Sequence, residues 1–202
     1  MSNYEYIVAS LPAISLEWKF GEGDSFGSLI SQIKSLLDKA DRKTVDRLLD
    51  GYKEECMTAE FYEDCLKHPN PFIRKFFAFD LHVRNAKARF LNKAFGRPEE
   101  QDTIRIPVTG EFAWEARLSD SLAKTDLLER ERSMDALMWD AIGEMTRFNY
   151  FDLDVILGFI ARLHIVARWL ELDEQAGREM FVSLVDEVRS TFKGVEYVAP
   201  QE

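Results

Sequence analysis

Residues 71–98 read PFIRKFFAFDLHVRNAKARFLNKAFGRP. Asn70 before Pro71 is a helix start signal, a capping side chain followed by proline at the first helical position, and Gly96 with Pro98 is a stop. The helix between them is about 37 Å long at 1.5 Å per residue. At about 100° per residue, Phe72, Phe76, Phe79, Val83, Ala86, Phe90 and Ala94 share one face. Ile73, Phe77, Leu81, Ala88, Leu91 and Phe95 make a second face beside it. An apolar arc wider than half the circumference needs at least two neighbours, so this helix is a central strut, and its spaced phenylalanines are core rather than a cofactor box.

The charges on the strut are unusual for the chain that carries it. The stretch holds seven Lys or Arg and one acid, whereas the whole chain has a formal net charge of −10. Asp80, Arg84 and Lys87 fall between the two apolar faces, and Asp80 to Arg84 is the favourable i,i+4 order for a structural ion pair. The remaining arc holds Arg74, Lys75, His82, Asn85, Arg89, Asn92 and Lys93, with no acid. Such a strip faces either the chain's own acids or an acidic partner protein, and the pattern leaves both open. The candidate partner-binding residues are Arg74, Lys75, Asn85, Arg89, Asn92 and Lys93.

Outward from the strut, the pattern is one of successive helices with short turns, which predicts an all-α bundle of about seven to eight helices. Residues 1–20 lack a helical period and read as a short extended N-terminal segment. After the turn GEGD at 21–24, with Asp24 or Ser25 as cap, apolar positions Phe26, Leu29, Ile30, Ile33, Leu36 and Leu37 define a helix. Others are expected over 41–52 and 58–68, the latter capped by Thr58. GRPEEQDTIRIPVTG, at 96–110, has two prolines and two glycines and reads as the main linker, residues 97–110, between halves 1–96 and 111–202 of one compact unit. Beyond it, helices are predicted over 111–124, 125–148, 152–172 and 173–192, with Thr125 and Asp173 as caps and Gly194 as a stop. In the 152–172 helix, Leu153, Ile156, Ile160, Leu163, Ala167 and Leu170 form the seam. Asp154, His164, Arg168 and Glu171 make a narrow polar arc, and Arg162 stands among apolar positions, needing an acid or a route to solvent.

Composition excludes several classes. With 202 residues, 46% of them hydrophobic, the chain can bury a sizeable core. No apolar run reaches the roughly 18 residues of a membrane span, and the N-terminus lacks a signal-peptide pattern, so a cytoplasmic location is expected. Net acidity disfavours nucleic acid as a partner. Two cysteines, Cys56 and Cys65, in no CxxC pattern, read as buried or half-buried thiols. Metal and phosphate patterns are missing: no Glu-x-x-His pair, no HExxH, and GEGDSFGS at 21–28 lacks the lysine of a phosphate loop. Asp64 and His68 stand at i,i+4, without a third ligand to make a metal site. No catalytic residue, cofactor or metal is therefore expected.

Three stretches, YEYIVASLPAI (4–14), FAFDLHVRNAKARFLNKAFGRP (77–98) and FDLDVILGFIARLHIVARWLEL (151–172), together resemble small uncharacterised bacterial proteins encoded among V-type ATP synthase genes. These look like a reduced form of the C-type component of such enzymes, the central-stalk socket, which is the d-type component in eukaryotes. In the larger socket proteins a helix carries an acid, an Asn and a basic patch before a glycine, which Asp80, Asn85, Arg89 and Gly96 match here. The acid-rich late segment of those proteins reads RLHIVARW at 162–169, and this chain is shorter than their three helical subdomains. The resemblance implies a non-catalytic adaptor between the rotor axle and the membrane ring of a rotary ATPase. It further implies protein subunits as partners and a position at the inner face of the membrane, held there through the complex. The alternative is an unrelated all-α interaction module, for example a homodimer, with an enzyme or small-ligand binder among the phenylalanines as a third class.

Overall fold

The computed structural model describes residues 3–21, 23–108 and 112–171. Among these the protein is all-α: α1 (Tyr4–Ser10), α2 (Phe26–Leu36), α3 (Lys39–Asp50), α4 (Ala59–Leu66), α5 (Pro71–Ala94), α6 (Glu115–Leu122), α7 (Leu127–Thr146) and α8 (Leu153–Glu171), with a short 3₁₀ turn at Glu54–Cys56. The helix predicted over 173–192, with Asp173 and Gly194 as its boundaries, lies outside the described residues.

Local chemistry starts nearly every helix. The hydroxyl of Ser25 accepts from the Ser28 amide while Ser28 reaches back to Ser25, a reciprocal cap. Asp38, Thr58, Asn70 and Asp126 accept from the first-turn amides of α3, α4, α5 and α7. Asp126 does so one residue after the predicted Thr125, because a carboxylate also complements the helix dipole. At the far end of α5, Gly96 sits at φ +64°, the left-handed position that ends a helix without Cβ strain.

The N-terminal segment corrects the sequence reading. Residues 4–10 are helical, capped by Asn3, and the irregular path begins only at Leu11 before Pro12. The alternation of Tyr4, Tyr6 and Val8 suggests an extended chain, but Tyr4, Ile7, Val8 and Leu11 also stand at i, i+3, i+4 and i+7. That stripe is the one that packs on the core, with Ile7 fully buried and Tyr6 left outside.

Two apolar clusters fill the interior. The larger gathers Ile7 of α1, Ile30 and Ile33 of α2, Val45 and Leu48 of α3, Phe61, Tyr62 and Cys65 of α4, and Phe72, Phe76 and Phe77 of α5 around Ile156, Leu157, Ile160 and Leu163 of α8. The smaller sets Phe79 of α5 against Leu118 and Leu122 of α6 and Met134, Leu137 and Ala141 of α7. Met138 and Met145 touch both. Helix α8 therefore lies against α1, α2, α3, α5 and α7, so both sides of the predicted linker share one core.

Small residues permit the closest approaches. A Cβ on Gly51 would overlap the Phe77 ring, and one on Gly158 would lie 2.8 Å from Thr146 where α8 crosses α7. Cys65 is buried and Cys56 half-buried, both as free thiols, and burial pushes Cys65 up to about 12. No helix among the described residues is long and apolar enough to cross a membrane.

Candidate interaction surface

The basic strip of α5 divides once its surroundings are in place. Asn85 holds the connecting segment on both sides of one residue: its amide donates to the Ile104 carbonyl and its oxygen accepts from the Ile104 amide, both at 2.9 Å. Arg89 makes a forked pair with Glu100, at 2.8 and 3.2 Å. Asn92 is a correction to the surface strip. It is 3% exposed and donates to the Glu99 and Gln101 carbonyls, so it anchors the turn that follows the helix. Arg74 donates to the carbonyls of His68 and Pro69, closing the α4–α5 turn. Lys75 and Lys93 remain exposed on the strip.

The acid that answers Arg89 comes from the PEEQD run just after the helix stop, and its position beside a basic strip is the available signal. Glu100 also accepts from Thr103 at 3.0 Å and lies 3.9 Å from Arg105. The Arg89 and Thr103 hydrogen bonds hold its carboxyl below the usual carboxylate range. Between α5 and residues 104–108 runs a groove of about 440 Å³, lined by Leu81, His82, Asn85, Arg89, Ile104, Arg105, Ile106, Pro107 and Val108. One of the lining residues, His82, stacks its ring on Phe112 at 4.6 Å.

Asp80 and Arg84 form the predicted pair, but a third residue joins them. The two lie 3.9 Å apart on the helix, while the Tyr62 hydroxyl of α4 donates to Asp80 and accepts from Arg84 Nε at 2.8 Å. Burial raises the Asp80 carboxyl above its usual range, opposed by the Tyr62 hydrogen bond and the Arg84 charge. Lys87, grouped with them by angle, turns instead to Glu131 of α7 at 2.7 Å. Glu131 lies 3.7 Å from Arg168 of α8, which pairs with Asp135, and Asp135 also accepts from the Trp169 indole at 2.6 Å. One ionic chain thus ties α5, α7 and α8.

On α8 the expected polar arc runs from buried Asp154 through half-buried His164 and Arg168 to exposed Glu171. Asp154 is 9% exposed and accepts from Asn70, joining the N-terminal ends of α5 and α8. His164 stacks on Tyr52 at 3.6 Å. Arg162 finds no acid within ion-pair reach among the described residues: its guanidinium lies over Trp139 and donates to the Trp139 carbonyl, leaving Nε without a partner there. Gly143 makes room for it, since a Cβ there would come within 2.6 Å of its terminal nitrogen. The α7–α8 turn is the most exposed apolar feature among the described residues, with Phe148 82%, Tyr150 72% and Phe151 56% exposed. Asn149 and Asp152 hydrogen-bond across it, so those rings project from a fixed turn. Among the described residues no three His, Cys, Asp or Glu side chains are grouped to hold a metal.

Residues 109–191, spanning α6 to α8, match the model of a family described as a protein of unknown function, DUF2764. No curated protein and no solved structure matches the chain.

Proposed function

We propose that this protein is a non-catalytic helical coupling component of a V-type rotary ATPase, joining the rotor axle to the membrane ring as a C-type central-stalk socket. The sequence resemblance supplies the family of complexes. The observation that best supports a coupling role is the fixation of α5. This 24-residue strut, about 36 Å long, packs on α4, α6, α7 and α8 and is bonded to its own connecting segment through Asn85, Arg89 and Asn92. An element that carries torque between two partners must not shear against its neighbours, and close-packed helices with cross-links meet that need. The partners are protein subunits, and attachment to the membrane is through them.

With four of the six candidate strip residues engaged internally, the surfaces left for partners are Lys75, Lys93 and the fixed turn at Phe148, Tyr150 and Phe151, whose aromatic residues are of a type enriched at protein interfaces. The test is affinity purification of the tagged full-length chain from native membranes. Recovery of rotary ATPase head and axle proteins in stoichiometric amounts is the expected result, and their absence from a gently solubilised sample overturns the reading. The exposed aromatic turn also favours a second reading, a homodimeric interaction module, which would show as twice the 23.4 kDa chain mass in light scattering of the purified protein.

A further inference from the structure

The groove beside α5 has an imbalance of charge at its mouth. Two guanidinium groups, Arg89 and Arg105, converge on the single carboxylate of Glu100, closely from Arg89 and at 3.9 Å from Arg105, whose side chain is 71% exposed. The wall opposite α5 is an extended run in which Ile104, Ile106 and Val108 are half-buried while Arg105 and Pro107 are exposed. Asn85 takes both backbone groups of Ile104, whereas the amides of Arg105, Ile106 and Val108 have no hydrogen-bond partner among the described residues. Volume, half-buried apolar side chains, open amides and one guanidinium in excess of its carboxylates therefore coincide. A cavity of this size accommodates a few side chains rather than a large cofactor.

We propose that this groove binds a short acidic segment of a partner protein, with apolar side chains against Ile106 and Val108 and a carboxylate on Arg105. A second carboxylate displaces Glu100 from Arg89, so Glu100 is an internal stand-in that occupies the site until the partner arrives. The inference rests on the reading of this chain as an interaction protein, and it names the chemistry of one partner surface. A polyphosphate or nucleic acid fits poorly, because only one guanidinium is uncompensated in a chain of net charge −10. Charge complementarity at a site flanked by apolar contacts gives a peptide both attraction and register.

The experiment uses the full-length chain and two fluorescein-labelled heptapeptides, one alternating Asp with Leu and the other alternating Asn with Leu, read by fluorescence anisotropy. The wild-type protein is expected to bind the acidic peptide in preference, with affinity falling as salt is raised. Glu100→Ala removes the internal competitor and should tighten binding about tenfold, while Arg105→Ser should weaken it by a similar factor. Unchanged melting curves for both variants separate these effects from loss of fold. Equal binding of the two peptides, no binding to either wild type or Glu100→Ala, or indifference to Arg105→Ser overturns the proposal. Because the probe is synthetic and the chain isolated, this outcome is independent of whether the protein co-purifies with a rotary ATPase.

Discussion

His164 lies with its ring 3.6 Å from Tyr52 and edge-on to Phe26, with Arg168 one turn along α8. Burial first, and the Arg168 charge second, push its imidazole down to about 4 from an ordinary 6.5. The unfolded chain therefore takes up a proton near pH 6.5 that the folded chain accepts only near pH 4. The stability held by neutral His164 is complete above that window and is lost as pH falls through it, by up to about 3 kcal/mol. Asp80, Asp135 and Asp154 are raised by burial and act in the opposite direction, gaining stability on protonation. The difference between proteins isolates the histidine: His164→Phe, which keeps a ring against Tyr52, should lose distinctly less Tm than wild type between about pH 7 and pH 4.5. Parallel losses would mean that the ring is solvated. The sequence pattern places His164 and Asp154 on a polar arc because angle alone sorts residues by type, whereas contacts with Tyr52 and Asn70 from distant segments leave His164 half-buried and Asp154 buried. The Phe72, Phe76 and Phe79 core is legible, since apolar residues at helical spacing have one physical outcome.

At the scale of elements, starts and stops are legible wherever a single side chain decides them. Asn70, Thr58, Ser25 and Gly96 act locally, and the energy of a cap is set within four residues of it. The second apolar face of α5 is legible only in part: Phe77 and Leu81 are buried, but Leu91 and Phe95 are exposed, while at the same end of the helix it is Phe90 that packs towards α7. The candidate surface is legible as a strip and not as a set of contacts, since Glu100, Gln101 and Ile104 reach it through a connection with no periodicity. Asn85 gives the sharpest test of that connection. Asn85→Ala removes both hydrogen bonds to Ile104 and should cost about 1 to 3 kcal/mol, as expected when paired polar groups lose their partner. The Ile104 amide should then exchange with deuterium much faster, while amides in the first turns of α5 keep their protection. An unchanged Ile104 amide would show that the segment is held by other contacts.

The whole molecule is organised around α8, and this sets how its halves depend on each other. The division at residues 97–110 follows the composition of the chain, but Ile156, Leu157, Ile160, Leu163 and Ile165 of α8 fill the space enclosed by α1 to α5. Residues 1–96 alone would expose the faces of Ile33, Val45, Leu48, Phe72 and Phe76 that α8 covers, at about 25 cal/mol per Å² of apolar surface returned to water. The Lys87–Glu131 pair and the Asn70–Asp154 bond, which brace α5 against α7 and α8, would go with them. A fragment of residues 1–96 should therefore show weak helical circular dichroism and no cooperative melting. Co-expression with residues 97–202 should restore both, because the break falls in an irregular connection and leaves every described helix whole. In the intact chain, fluorescence from Trp18 in the N-terminal part and from Trp139 and Trp169 in the C-terminal part should follow one unfolding curve in denaturant when each is kept as the sole tryptophan. Two separated transitions, or a 1–96 fragment that melts cooperatively by itself, would mean that α8 is an accessory to an independent N-terminal unit and not the centre of a shared core.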